Sequence, residues 1–275
     1  MVRDHIGQAT HLDDAAERQI PVVNKIEIAD IVDALKLGMK DFRRQPLYGL
    51  FFGCFFAIGG NVIVLMSFFY NQSHLSYPLA VGFWLIGPFI AVGLYEVSRR
   101  LEKNEELSWR GVLGIMWDQH RRELAWMAFV VIFILLMWMF EVRLLLALFL
   151  GFSGFSTFGE FLQVMFTTPQ GFMFLVVGNV VGALISLILF SLTVVSFPLL
   201  LDRNYDFITA MITSVKVVLA SPVVMIGWGW AITLILLASM APAFIGLIVT
   251  LPILGHTTWH LYRKAVRFED KPKLN

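Results

Sequence analysis

The sequence predicts an all-α integral membrane protein: six transmembrane helices forming three repeated hairpins, each preceded by a cytoplasmic amphipathic helix. Three observations carry that expectation. Of 275 residues, 58% are apolar and 15% charged, with a mean hydropathy of +0.74; a soluble domain has about a quarter charged and just under half apolar. Charge-free apolar runs recur at the length of about 20 residues that crosses a bilayer. Lysine and arginine gather in alternate connections. An ordinary water-soluble enzyme is excluded. A net charge of +1 offers no basic face to nucleic acid. The lone Cys54 lies in an apolar run, so neither a disulfide framework nor a thiolate metal cage is available.

Taken in order, residues 1–23 read as a polar, disordered tail. Asp4, Asp13, Asp14 and Glu17 precede any apolar run, and no small-residue cleavage site follows an early apolar core, so the first span is expected to act as an uncleaved anchor. Residues 24–267 form the membrane domain, with spans at about 47–69, 79–95, 124–140, 171–201, 223–240 and 243–260, and residues 268–275 form a C-terminal tail. The run 223–255 exceeds one ordinary helix. Pro242 divides it, giving either two helices joined at Met240-Ala241-Pro242 or one long kinked helix; six spans need the former. Seven Lys and Arg precede Leu47, six lie between Glu96 and Glu123, two between Asp202 and Pro222, and five follow Gly255. Arg143 alone falls on the opposite side, so both termini are expected in the cytoplasm.

Before each odd-numbered span lies an apolar stripe at helical spacing. The first is Ile28, Ile31, Val32, Leu35, Met39 and Phe42, with Asn24 and Glu27 as a capping box. The second is Trp109, Val112, Met116, Trp117 and His120, opened by Ser108. The third is Ile208, Met211, Ile212, Val215 and Leu219, opened by Asp206. Helices lying on the cytoplasmic membrane face and helices packed against the bundle's rim fit these stripes equally. Pro46, Glu123 and Pro222 open the odd spans at equivalent places, and Pro88, Pro198 and Pro252 recur in the even ones, which suggests a unit repeated three times. In the outer connection 151–170, Thr157-Phe158-Gly159-Glu160 reads as the start of a short interfacial helix.

Four segments carry a family resemblance: Asp41-Phe42-Arg43-Arg44-Gln45-Pro46-Leu47-Tyr48-Gly49, Gly93-Leu94-Tyr95-Glu96-Val97-Ser98-Arg99-Arg100-Leu101, Leu199-Leu200-Leu201-Asp202-Arg203, and Gly255-His256-Thr257-Thr258-Trp259-His260-Leu261-Tyr262-Arg263. Together they resemble a bacterial family of predicted integral membrane proteins catalogued as domain of unknown function 2189. The resemblance implies the inner membrane and brings no established activity. Some relatives are labelled cytochrome oxidase subunit I, a chemistry that needs several histidines at membrane depth. Here only His256 and His260 lie near a span end, so that reading is rejected as catalysis; association with a respiratory oxidase stays open.

The candidate site residues are Glu96, Arg99, Asp202, Arg203, His256, His260 and Arg263. His256 and His260, four apart, share a helix face. Pro252 frees the Ile248 carbonyl and invites a kink just before them. A polar cluster of His256, His260, Glu96 and Asp202 is expected at the inner rim, locking the repeats together, with Arg263 reaching the headgroups; a metal or headgroup site is the sharper alternative. Glu96 is expected to pair with Arg99 or Arg100 across a turn. No catalytic, cofactor-binding or metal-ligating residue is assigned, and no phosphate loop, nucleophile elbow or zinc-protease helix is present. The spans as drawn carry no Asp, Glu, Lys or Arg, which counts against ion-coupled transport. Asn61 and Asn179 are their largest polar groups, and Gly49-x-x-x-Gly53 and Gly178-x-x-x-Gly182 suit close packing inside the bundle.

The expected function is a non-enzymatic scaffold or accessory subunit of a membrane complex, needing no cofactor, with the lipid bilayer and another membrane protein as partners. The alternative is a carrier for an apolar or lipid-like molecule. The topology is directly testable. With Cys54 replaced, a cysteine at Ser73 should label from outside and one at Gln8 should be protected; reversed labelling would show the charge argument to be wrong here.

Overall fold

The computed structural model describes residues 19–68, 87, 90–115, 122–151 and 158–270. They form β1 (Gln19–Val23), α1 (Ile28–Arg44), α2 (Pro46–Phe68), α3 (90–103), α4 (Trp109–Gly114), α5 (Arg122–Leu150), α6 (Phe158–Thr167), α7 (Pro169–Thr193), α8 (Ser196–Asp202), α9 (Phe207–Ala220), α10 (Pro222–Met240), α11 (Leu247–Ala265) and β2 (Val266–Asp270). Two compact units emerge, one from Met1–Ala128 with Leu192–Asn275 and the other from Phe129–Ser191.

Among the described residues, four helices are long and apolar enough to cross a membrane: Pro46–Met66, Arg122–Leu150, Pro169–Asp202 and Pro222–Met240. They correspond to the first, third, fourth and fifth expected spans. Residues 79–86, 88 and 89 of the second span lie outside the described residues, as do Pro88, the turn 70–77, residues 1–18 and 271–275, Thr157, and Met116, Trp117 and His120 of the second stripe. The sixth expected span coincides with most of α11, which is not among the four. Its Thr250, His256, Thr257, Thr258 and His260 dilute the apolar run.

α11 is instead the centre of the first unit, with eleven of its 19 residues buried. It runs antiparallel to α1 and α2, and glycines set the approach. A Cβ on Gly38 would meet Thr257 N at 2.7 Å, one on Gly49 would meet Pro252 Cβ at 2.9 Å, and one on Gly53 would meet the Ile248 carbonyl oxygen at 2.5 Å. The last contact explains how a proline survives inside α11. Pro252 leaves the Ile248 carbonyl without its helical donor, and that oxygen faces the bare Cα of Gly53, a weak C–H···O contact. Further along, α10 and α11 are separate helices joined by the turn 241–246, as the first of the two sequence readings requires. Ala243 and Phe244 adopt left-handed φ of 51° and 62°, which costs about 1–2 kcal/mol for each non-glycine residue. Asn61 holds this turn: its amide donates to Ala57 O at 2.8 Å and to Ala243 O at 2.6 Å.

Several expectations are corrected. Residues 19–23 are not tail: β1 pairs antiparallel with β2, joining Gln19 to Asp270 and Val23 to Val266, so 268–270 also leave the C-terminal tail. The cap of α1 is Glu27 with Asp30 at N3, while Asn24 turns away, donating its side chain to Lys264 O at 3.1 Å and its N–H to Ala265 O at 2.9 Å. The buried face of α1 is Ala34, Gly38 and Asp41 rather than the apolar stripe, whose Ile28 is 70% exposed. α9 repeats this: Ala210, Thr213, Ser214, Val217 and Val218 are buried while Ile208, Ile212 and Leu219 are exposed. Close packing against a neighbouring helix selects small residues, so the greasy stripes lie beside the buried faces.

The third expected span is too short. α5 continues to Leu150 and takes in Glu141 and Arg143; at 1.5 Å per residue its 29 residues span about 44 Å, more than the hydrocarbon thickness. α7 stops at Thr193, and α8 resumes at Ser196, just before Pro198. Ser214 of α9 accepts the N–H of Val195 at 3.2 Å and so repairs the break. Ahead of Pro46 and Pro222 the chain bends identically: Gln45 has φ −137°, ψ 63°, and Ser221 has φ −144°, ψ 60°. In the second unit, Gly178 and Gly182 face Leu145 and Trp138 of α5 at 3.7 and 3.8 Å, ordinary side-chain contacts. The two glycine pairs therefore differ. Gly53→Val should destabilise the protein in detergent by about 1–3 kcal/mol, the usual cost of overpacking, whereas Gly182→Val should change the melting temperature far less; equal effects would remove the packing argument.

Candidate functional site

The four landmark segments converge at one end of the first unit, where α1, α3, α8 and α11 bring polar side chains together. Ser98 and Glu102, one turn apart on α3, face α11. Asp41 is on the buried face of α1, His256, His260 and Arg263 are at helical spacing on α11, and Asp202 ends α8.

The histidines meet Asp41, not Glu96 or Asp202. Ser98 Oγ donates to Asp41 Oδ2 at 2.8 Å, and His260 Nε2 lies 2.7 Å from the same oxygen. Ser98 Oγ is also 2.8 Å from His256 Nδ1. A hydroxyl has one hydrogen. With that hydrogen spent on Asp41, His256 Nδ1 must carry the proton and donate to Ser98, which makes its Nε2 the bare acceptor. That nitrogen is buried and has no hydrogen-bond partner. Burial alone would raise the Asp41 carboxyl, but hydrogen bonds from His260 and Ser98 hold it below its ordinary value near 3.8.

Glu96 heads a second set. It is fully buried, and Arg99 grips it in bidentate fashion, Nε to Oε2 at 2.7 Å and Nη2 to Oε1 at 2.9 Å, while Arg100 Nε reaches Oε1 at 2.6 Å. Both arginines pair with it, where one was expected. Burial would raise this carboxyl too, but the two guanidinium groups hold it below its ordinary 4.5. Arg99 continues to Glu105 Oε2 at 3.2 Å.

Asp202 heads a third. It accepts from Tyr262 Oη at 2.9 Å, Arg263 Nη1 at 3.2 Å and Lys103 Nζ at 3.3 Å. Arg263 does not reach outward as expected: its Nε also donates to Glu102 Oε1 at 3.0 Å, beside Trp259 Nε1 donating to Glu102 Oε2 at 2.9 Å. Arg203 Nε sits 3.8 Å from Asp202, and its guanidinium stacks 4.5 Å over the Phe268 ring. The expected four-residue cluster is thus three neighbouring sets, each closing on a carboxylate. Among the described residues, no group of three or more His, Cys, Asp or Glu is disposed to hold a metal ion.

Sequence reasoning missed Asp41, Ser98, Glu102, Lys103 and Tyr262 as site members. The signal was available, since Asp41, Ser98 and Tyr262 stand within the landmark segments themselves. Both depressed carboxyls bind fewer protons folded than unfolded, so stability rises with pH through their range. Their contribution is present above about pH 4.5 and lost as pH falls through their lowered folded values. Asp41→Asn, which keeps the shape, should cost about 1.5–3 kcal/mol at pH 7, the worth of hydrogen bonds to a charged group. Its melting temperature should also fall less than that of the native protein between pH 5 and pH 3. A parallel fall in both proteins would show that Asp41 is not the titrating group.

No curated protein and no solved structure matches the chain. The family model DUF2189, predicted integral membrane protein, matches residues 76–202. The second landmark and the third as far as Asp202 fall inside the match; the Asp41 and His256 segments that bind them lie outside it. Over residues 76–202, therefore, the chain is similar to DUF2189, predicted integral membrane protein.

Proposed function

We propose that this chain is a six-span protein of the bacterial inner membrane, with both termini cytoplasmic, acting as a non-enzymatic scaffold or accessory subunit of another membrane complex. Parity supports the six spans. Asp41 precedes the first span and Ser98 follows the expected second one, and the hydrogen bond between them fits a return of the chain through 79–95. Arg263 bonds Glu102 and Asp202 on that same side, which fits a further return of the chain after α10, along α11. The pairing of β1 with β2 keeps residues 19–23 and 266–270 together, and the distribution of Lys and Arg favours the cytoplasm for that side. The matching bends before Pro46 and Pro222 fit an internal repeat.

The observation that carries the scaffold reading is the state of α5 and α7. In the most apolar 18 residues of each, 11% are buried in Arg122–Leu150 and 0% in Pro169–Asp202, against 28% in Pro46–Met66. Two long helices thus keep few fully buried residues and leave apolar surface to whatever lies in the bilayer, while most polar groups at the rim are closed on one another. That distribution suits a protein that binds sideways in the membrane. Purification in mild detergent should recover a fixed stoichiometry of other membrane proteins, reduced when Leu184 and Ile188 of α7 are both replaced by smaller Ala. Recovery of this chain alone, from several detergents and at native expression, would overturn the reading.

A further inference from the structure

We infer that the outer face of α7 is a dimerisation seam, and that its occupant is α7 of a second copy, with Asn179 meeting Asn179. The face is Phe172, Val176, Asn179, Ala183 and Ser186, all exposed and spaced alternately by four and three residues. That is the spacing by which two helices supercoil along one stripe. It is distinct from the Gly178 and Gly182 side, which faces α5 within the second unit.

Asn179 is what singles out this face. It lies ten residues into α7, roughly 15 Å along the axis and so near the middle of a hydrocarbon core about 30 Å thick. Its Nδ2 donates to Leu175 O at 2.7 Å, which uses one amide hydrogen. The second hydrogen and the carbonyl oxygen have no partner among the described residues. Lipid tails provide neither donor nor acceptor, so an amide at this depth is stabilised by another polar group. The missing partner must offer one donor and one acceptor at the same depth.

A second copy meets that requirement by symmetry. Both copies insert in the same orientation, so the twofold axis relating them runs along the membrane normal and every residue faces its own counterpart at its own depth. An amide is both donor and acceptor. Two Asn179 side chains therefore satisfy one another without any other polar residue. Ala183, one turn on, is small enough for the backbones to approach, and Ser186 gives a second polar pair further along the stripe. This inference does not rest on the scaffold reading: the chain dimerises whether or not it also binds another protein.

The test uses the full chain in native membranes, with Cys54 replaced by Ser. Ala183→Cys should give a disulfide-linked dimer on mild oxidation, whereas Gly182→Cys, on the α5 side, should not. In lipid-matched detergent, Asn179→Leu should weaken dimerisation by about 3- to 20-fold, the range for one interhelical polar contact, and Asn179→Gln should largely restore it. An unchanged melting temperature for each variant separates lost association from lost folding. Monomer at all protein-to-lipid ratios, cross-linking of Gly182→Cys as readily as of Ala183→Cys, or cross-linking of Ala183→Cys only to a different protein would each overturn the proposal. Dimer recovered with no other protein supports it while sinking the scaffold reading, and a complex holding one copy of this chain does the reverse.

Discussion

The architecture of the first unit depends on one approach: α11 lying against α1 and α2 closely enough that backbone meets backbone. Three glycines, Gly38, Gly49 and Gly53, are spaced along that contact, and any side chain at them would collide with Thr257, Pro252 or Ile248. Packing at this distance lets a proline sit inside α11, because the oxygen it orphans is covered rather than exposed to lipid. It also fixes how far His256 and His260 stand from Asp41. The polar rim is a product of the helix contact and not an independent motif.

At the rim, burial and charge work against each other. Taking a carboxylate out of water is costly, and replacing a buried ion pair by apolar residues often leaves a protein no less stable. What such pairs supply is selection among alternative packings. Glu96, fully buried, takes both its guanidinium groups from its own helix, so the selection falls to the carboxylates whose partners are on other helices. Asp41 needs α1, α3 and α11 present together, and Asp202 needs α3, α8 and α11. A misregistered α11 would take partners from Asp41, Glu102 and Asp202 at once, a penalty that greasy contacts alone would not impose.

The sequence made some of this legible and hid the rest for definite reasons. Long charge-free runs betray their helices without knowledge of neighbours, and Pro242 marks a break because its chemistry is local. Asp206 and Ser108 cap the helices they precede for the same reason. Sequence and structure part wherever a partner is remote. The stripe of α1 reads as its packing face, yet a neighbour at backbone distance selects Ala34 and Gly38. Matching repeat positions pair the histidines with Glu96 and Asp202, but which residue meets which is settled by the rotation of α1 against α11, more than 200 residues apart in the chain. Residues 19–23 read as tail because half of their sheet is at the other terminus.

That last feature bears on how the chain is made. A ribosome delivers β1, α1 and α2 well before α11 and β2, so the small sheet and the α11 contacts cannot form until that later stretch has been made. Until then, Gly38, Gly49 and Gly53 line an open trough and Asp41 waits without its histidines. More than 150 residues separate α2 from α11, and the contacts between them wait for all of those residues. A chain truncated before α11 would therefore lack the contacts that close the three glycines and Asp41.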